Sequence, residues 1–318
     1  MLGDINTDGR SDIAICAPLI GKCYIVFGAL SSSLTGTISL SSYFTTAAKG
    51  FTMTNSSADS FGFSAAGLGD ISGDGIDDFA IGTDSAGIGS VYVVFGRVAS
   101  LWTSTSLPLS ALRGSSTAGC ILIGESGSNT HFGSALSGGG DVNGDMVSDI
   151  LIGSYGLNCA YVVYGKTLSG IWPATLSIST AISGGVNGFK MTGESGGQAG
   201  FSIAFAGDTN NDGFGDIVIG DIKVSSNQGK AYLILGRGMT SCLTLTGATC
   251  NKCIAGYGLS GGLCTMCSAG WSNGTTPCVA GPLNCVTIDT TNGHCSKCSP
   301  GYKVINNACS ACTNNTYS

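Results

Sequence analysis

The chain has 318 residues and a formal net charge of −6, with 52 glycines, six prolines and only 10% charged residues. Thirteen Lys and Arg scattered along it form no basic stripe, which excludes a nucleic-acid partner. So much glycine with so few long charged helix formers excludes a helical bundle and describes many short strands joined by turns.

The first element is an Asp-rich loop, Asp4-Ile5-Asn6-Thr7-Asp8-Gly9-Arg10-Ser11-Asp12, which runs straight into the apolar strand Ile13-Ala14-Ile15. After a short turn comes a second strand, Tyr24-Ile25-Val26-Phe27-Gly28. The same unit returns with loops starting at Asp70, Asp141 and Asp208, at spacings of 66, 71 and 67 residues. Each copy has its own strand pair: Phe79-Ala80-Ile81-Gly82 with Tyr92-Val93-Val94-Phe95-Gly96, Ile150-Leu151-Ile152-Gly153 with Tyr161-Val162-Val163-Tyr164-Gly165, and Ile217-Val218-Ile219-Gly220 with Tyr232-Leu233-Ile234-Leu235-Gly236. Ahead of each of the last three loops lies another pair, first seen as Phe51-Thr52-Met53-Thr54 and Phe61-Gly62-Phe63-Ser64. Four short strands per repeat predict an all-β fold: propeller blades, three full and one that starts in mid-blade, because a small twisted sheet must stack on neighbours to bury both faces.

The loops have the chemistry of a Ca²⁺ site. A hard cation takes six to eight oxygens, supplied by side chains at positions one, three, five and nine and a backbone carbonyl at seven, with glycine at six for the sharp turn. The expected ligands are Asp4, Asn6, Asp8 and Asp12 with the Arg10 carbonyl; Asp70, Ser72, Asp74 and Asp78 with Ile76; Asp141, Asn143, Asp145 and Asp149 with Val147; and Asp208, Asn210, Asp212 and Asp216 with Phe214. The first and fourth sets are complete. Ser72 is a weaker oxygen donor in the second, and Met146 occupies the glycine position of the third, where a positive φ costs about 1–2 kcal/mol. An EF-hand would need a Glu at position twelve, but isoleucines Ile15, Ile81, Ile152 and Ile219 stand there, so the ninth-position Asp must close the loop. Twelve of the 19 acidic residues lie in these loops, and four bound Ca²⁺ would bring −6 to about +2.

The pair Phe61-Gly62, the Asp-rich loops, the turn Cys16-Ala17-Pro18 and the strand Tyr92-Val93-Val94-Phe95-Gly96 resemble the FG-GAP repeats of the integrin α-subunit propeller and of many secreted microbial and protist proteins. The resemblance covers residues 1–240. It departs from the family pattern at Ala199-Gly200, which stands in place of Phe-Gly, and in the three later repeats that lack Ala-Pro after the strand. It implies an extracellular or cell-surface adhesion module.

From residue 241 to 318 the strand pattern gives way to 11 of the 15 cysteines. Cys242, Cys250, Cys253, Cys264, Cys267 and Cys278 are followed 43–45 residues later by Cys285, Cys295, Cys298, Cys309 and Cys312, and Cys-x-x-Gly-aromatic turns recur at Cys253, Cys267 and Cys298. This density reads as small disulfide-bonded modules of an oxidising compartment, the second lacking its last cysteine. They resemble furin-like and growth-factor-receptor cysteine-rich modules and the Cys-x-x-Cys-rich surface proteins of protists. A four-thiolate zinc site is the competing reading of the same spacing, but it leaves Cys242, Cys278 and Cys285 without roles. In the propeller, Cys16 with Cys23 and Cys120 with Cys159 are the possible pairs within single blades. Asn55, Asn273 and Asn314 head N-glycan sequons. Met1 stands three residues before the first metal loop with no export signal ahead of it, so the sequence reads as a fragment.

No catalytic constellation is visible. The two histidines, His131 and His294, read as structural or exposed, and Glu125 and Glu194 share a Gly-Glu-Ser context that points to a structural hydrogen bond. Gly138-Gly139-Gly140 precedes no helix, and no run of apolar residues is long enough to span a membrane. The expected function is therefore non-enzymatic: a calcium-stabilised propeller presenting a rim to an extracellular protein or glycan. The alternatives are a filament or coat subunit that packs against copies of itself, and the non-catalytic part of a secreted hydrolase.

Overall fold

A computed structural model describes residues 1–29, 36–55, 60–85, 87–113, 118–166, 172–183, 187–224 and 228–236, and beyond those only the backbone of paired strands between 242 and 311. Two compact units result: Met1–Val142 with Met146–Gly236, and Arg237–Ser318 with Asn143–Asp145.

The first unit is a series of β-propeller blades, sheets I to IV in chain order. Sheet I joins Ile13–Ala17, Lys22–Val26 and Gly50–Thr54, with Ser106–Pro108 added in parallel at its edge. Sheet II joins Ser64–Gly69, Asp78–Gly82, Ser90–Val94 and Gly119–Ile123, with Thr175–Ser177 added in parallel. Phe132–Gly140, Asp149–Ser154, Cys159–Val163 and Gly188–Thr192 make sheet III, and Ala199–Gly207, Asp216–Asp221 and Lys230–Ile234 make sheet IV. Within each sheet the principal strands run antiparallel in sequence order.

This pairing shifts the expected unit by one strand. Phe51-Thr52-Met53-Thr54 is bonded to Lys22–Val26, so it closes sheet I and does not open sheet II. Among the described residues, two sheets therefore have the full four-strand meander and the two end sheets have three of those strands, in place of three full blades and one partial. The reason is that a strand's neighbour is chosen by long-range hydrogen bonding, which a count of apolar runs does not reveal.

The cores lie between consecutive sheets, and the period-two alternation of each strand assigns its side chains to them. Ile81, Tyr92 and Val94 of sheet II face Ile25, Phe51 and Met53 of sheet I. Their neighbours Ala80, Val91 and Val93 face Ile150, Ile152 and Tyr161 of sheet III. Leu151, Ala160 and Val162 of sheet III in turn meet Ile217 and Ile219 of sheet IV. Strands buried on both faces explain the unbroken apolar runs of the sequence. On the outward faces of the end sheets, Ile15 is 42% and Leu233 55% exposed.

The connection between the third and fourth strands of a blade straps over the preceding one. Trp102 stacks on Phe51 at 4.6 Å, and its indole donates to the Arg97 carbonyl. Trp172 takes the corresponding place one blade later, but it meets Phe95 edge to face at 6.2 Å and its indole N–H donates to the Ile71 carbonyl at 3.4 Å.

In the second unit the described backbone forms two-stranded antiparallel ribbons. Cys242 is paired with Cys253, and Cys285 with Cys298, which repeats one register in both copies of the module. Side chains of the tail, including its cysteines and His294, and the sequons at Asn273 and Asn314 lie outside the described residues.

Candidate functional site

Each Asp-rich loop connects the first and second strands of its sheet or, in sheet I, leads into Ile13–Ala17. The loops touch in series along one rim. The Asp4 amide donates to the Asp77 carboxylate at 2.8 Å, the Ser148 amide to the Asp70 carbonyl at 3.3 Å, and the Gly215 amide to the Asp141 carbonyl at 2.6 Å. In every pair the eighth residue of one loop meets the first residue of the loop before it. At the first junction this brings an additional carboxylate, Asp77, beside Asp4.

Inside the loops, the first Asp organises the turn. Asp4 accepts the amides of Asp8 and Gly9, Asp70 those of Gly73, Asp74 and Gly75, Asp141 that of Met146, and Asp208 those of Asp212 and Gly213. Positions three and five sit together: the Asn6 side-chain amide donates to Asp8 at 3.4 Å and that of Asn210 to Asp212 at 2.8 Å. The corresponding pair in the third loop is Asn143 with Asp145 at 3.0 Å, and in the second Ser72 donates to Asp70 at 3.4 Å.

The ninth-position Asp has a different setting. All four are buried, and each spends its two oxygens on backbone amides. One comes from position two, namely Ile5, Ile71, Val142 or Thr209, and another from the glycine ending the next strand, Gly28, Gly96, Gly165 or Gly236; Asp78 accepts a third, from Ser72. These carboxylates tie each loop to its hairpin. Accordingly, among the described residues no three Asp, Glu, His or Cys side chains already converge as a metal cage. Positions three and five adjoin in three loops and positions one and three in the second, while position nine is turned to the backbone.

Burial without a counter-charge pushes the Asp12 carboxyl up to about 6 and that of Asp78 up to about 8, with Asp8 and Asp4, or Asp74 and Asp70, adding repulsion. In the fourth loop, position two is Thr209, whose hydroxyl donates to Asp216 and, with the Gly236 amide, holds that carboxyl below the usual range. The donor chemistry fits a hard divalent cation: every side-chain donor is an oxygen, and two buried carboxylates lack compensation.

The sixth position has φ of 82°, 85° and 90° at Gly9, Gly75 and Gly213, and 65° at Met146. The strain expected at Met146 is present. The fourth position is also left-handed in all four loops, at Thr7, Gly73, Gly144 and Asn211. Sequence reasoning missed this, because glycine marks it in only two copies. A β-branched residue with positive φ is unfavourable, so the first loop, complete in its ligands, carries backbone strain at Thr7. The fourth, equally complete, is the most open: Asn210 is exposed where Asn6 and Asn143 are buried.

On the opposite rim His131 Nδ1 lies 2.5 Å from Asp84 of the preceding blade and 2.9 Å from the Tyr155 hydroxyl. Its ring stacks on Tyr155, which packs against Phe201 of the following blade. His131 thus links three blades. Glu125 pairs with Lys190 at 2.9 Å and Glu194 with Lys230 at 2.5 Å, which gives both glutamates structural partners. Cys16 and Cys23 form a disulfide across paired strands. Cys120 and Cys159 do not: they belong to different sheets and are free thiols buried in one core, which corrects the expected pairing within one blade. The Asn55 side-chain nitrogen, the atom a glycan would take, donates to the Tyr92 hydroxyl at 3.5 Å.

The sequence is 31% identical over 181 residues to integrin alpha-PS5 of Drosophila melanogaster, a match covering 56% of this chain and 17% of that protein. Integrin alpha-E of Homo sapiens is 31% identical over 169 residues, 48% of this chain and 13% of that protein, and integrin alpha-5 of Xenopus laevis 27% over 191 residues, 55% and 16%. The chain is similar to integrin α-subunits over about half its length. It spans less than a fifth of the length of these curated relatives. No family model matches it.

Proposed function

We propose that this chain is a non-catalytic, extracellular or cell-surface adhesion module whose propeller is stabilised by Ca²⁺ along one rim. The observation that carries this reading is the repeated loop geometry, in which hard oxygen donors at positions three and five lie side by side in the first, third and fourth loops, those at positions one and three in the second, and the ninth-position Asp of every loop is buried. Asp4, Asn6, Asp8 and Asp12, with their counterparts in the other three loops and the position-seven carbonyls of Arg10, Ile76, Val147 and Phe214, would hold the cations. A bound ion would supply charge compensation for the buried carboxylates and nothing chemical beyond it. The similarity to integrin α-subunits supports the adhesion reading; the partner is then an extracellular protein or glycan. In the same reading the tail is a run of disulfide-bonded modules, and Asn273 and Asn314 are candidate glycan sites. Among the described residues no helix is long and apolar enough to cross a membrane.

Thermal unfolding with and without Ca²⁺ tests the role of the metal. Extracellular modules bind Ca²⁺ with Kd of about 10⁻⁴–10⁻³ M, and at tenfold excess each occupied site adds about 1.4 kcal/mol. A midpoint that does not move between excess chelator and about 10 mM Ca²⁺ refutes the stabilising role.

A further inference from the structure

Ala199 opens the first strand of sheet IV, where Phe61 and Phe132 stand just before or at the start of sheets II and III. The equivalence is set by the backbone: the glycines that follow, Gly62, Gly133 and Gly200, have φ of 90°, 88° and 87°. In the two earlier blades the phenylalanine ring is fully buried and meets the tyrosine of its own third strand edge to face, Phe61 with Tyr92 at 5.2 Å and Phe132 with Tyr161 at 5.6 Å. Around the first ring lie Met53 and Ile81, and around the second Leu122 and Ile152. The same environment exists a third time as Met191, Ile219 and Tyr232, but with a methyl group where the ring should be.

The result is a cavity of about 320 Å³, lined by Met191, Gly193, Ala199, Ile219, Tyr232 and Ile234. Phe61 and Phe132 fill the corresponding places in their blades; here the missing ring leaves that place empty, and the space continues outward between the partly exposed Met191, Tyr232 and Ile234. An apolar hole of about 150 Å³ is already enough to bind benzene, and small-molecule pockets begin near about 300 Å³. Tyr232 also brings a buried hydroxyl with no well-formed hydrogen bond, although the Glu194 amide lies near it.

We propose that this cavity is a binding site for a small molecule carrying a phenyl-sized aromatic ring, which takes the place that Phe61 and Phe132 occupy in their own blades. The ring would lie against Ile219 and Met191 and meet Tyr232 edge to face, the geometry both sister sites display. A polar substituent on the ring would find the Tyr232 hydroxyl, near the Glu194 amide.

The test is titration of p-cresol into the full chain, followed by methyl NMR. Saturation near about 1 mM is expected for a ligand of this size. The Met191 methyl signal should shift by ring current, and that of Met53, which lines a filled counterpart, should stay in place. In Ala199→Phe the new ring occupies the cavity, and affinity should fall at least about tenfold. Failure to saturate, equal shifts at Met53 and Met191, or unchanged binding to a folded Ala199→Phe protein would overturn the proposal. Should that variant fail to fold, the Met191 and Met53 signals of the unmodified protein decide the matter alone. Cyclohexanol binding as tightly as p-cresol would also overturn it, since an aromatic ring would then have no advantage.

Discussion

Replacing Met146 by glycine isolates backbone strain in an Asp-rich loop from every other contribution. Met146 has φ of 65° and its residue surface is 95% exposed, so removing the side chain forfeits almost no packing. The hydrogen bond from its amide to Asp141 at 2.7 Å is a backbone bond and survives the change. Relief of the left-handed strain is worth about 1–2 kcal/mol. The greater freedom of glycine in the unfolded chain takes back about 0.4–1 kcal/mol. The net expectation is a gain of about 0.5–1 kcal/mol, or a rise in Tm of roughly 1–4 °C for a propeller of this size. Urea and thermal unfolding in excess chelator measure it without any contribution from bound metal. Met146→Ala is the control, because alanine keeps the Cβ that makes the conformation unfavourable, and it should stay within about 0.5 kcal/mol of the parent. If glycine is no better than alanine, the loop is not strained at this position.

In the cation-free protein, the raised carboxyl of Asp78, at about 8 against a usual value near 4, makes stability depend on pH. The folded state holds a proton that the unfolded state has released, so the contribution of Asp78 to stability is fully present below about pH 4 and declines as pH rises toward 8, by up to about 1.4 kcal/mol per unit. Unfolding in chelator between pH 5 and 8 should show this slope, and Asp78→Asn or saturating Ca²⁺ should flatten it; an unchanged slope in both contradicts the assignment. Burial pushes the Cys120 thiol up to about 12 and raises that of Cys159. Brief alkylation of the native protein followed by peptide mass spectrometry should therefore leave both unmodified until denaturant is added, and native labelling of either would place it outside the core.

Much of the architecture was legible because the repeat is written in residues whose physics is local. Aspartate and glycine at fixed offsets mark a turn, and alternating β-branched and aromatic residues mark the strand that follows it. What remained hidden depends on the partner across space. The strand Phe51-Thr52-Met53-Thr54 reads equally well as the opening of one blade or the close of another, and only its register with Lys22–Val26 decides. Cys120 and Cys159 occupy strands of adjacent sheets, a relation invisible in their spacing. The left-handed fourth loop position escaped notice because Thr7 and Asn211 adopt it without being glycine.

The ninth-position Asp shows how one residue type can answer to two demands. Its place in the repeat is the place of a metal ligand, but its oxygens are already taken by the amides that join loop to hairpin. A carboxylate has about four lone-pair sites, so the two donors on Asp12, and even the three on Asp78 and Asp216, leave room for a cation. Without the cation, burial drives Asp12 and Asp78 toward the protonated form. In the proposed reading a bound cation would turn the same burial into an advantage, since the attraction between ion and carboxylate is least screened where water is excluded. The loop's conformation thus rests on backbone hydrogen bonds, to which a bound cation, in the proposed reading, would add. Those shared bonds explain why four copies with different defects, at Thr7, Ser72, Met146 and an uncovered Asn210, still adopt one conformation.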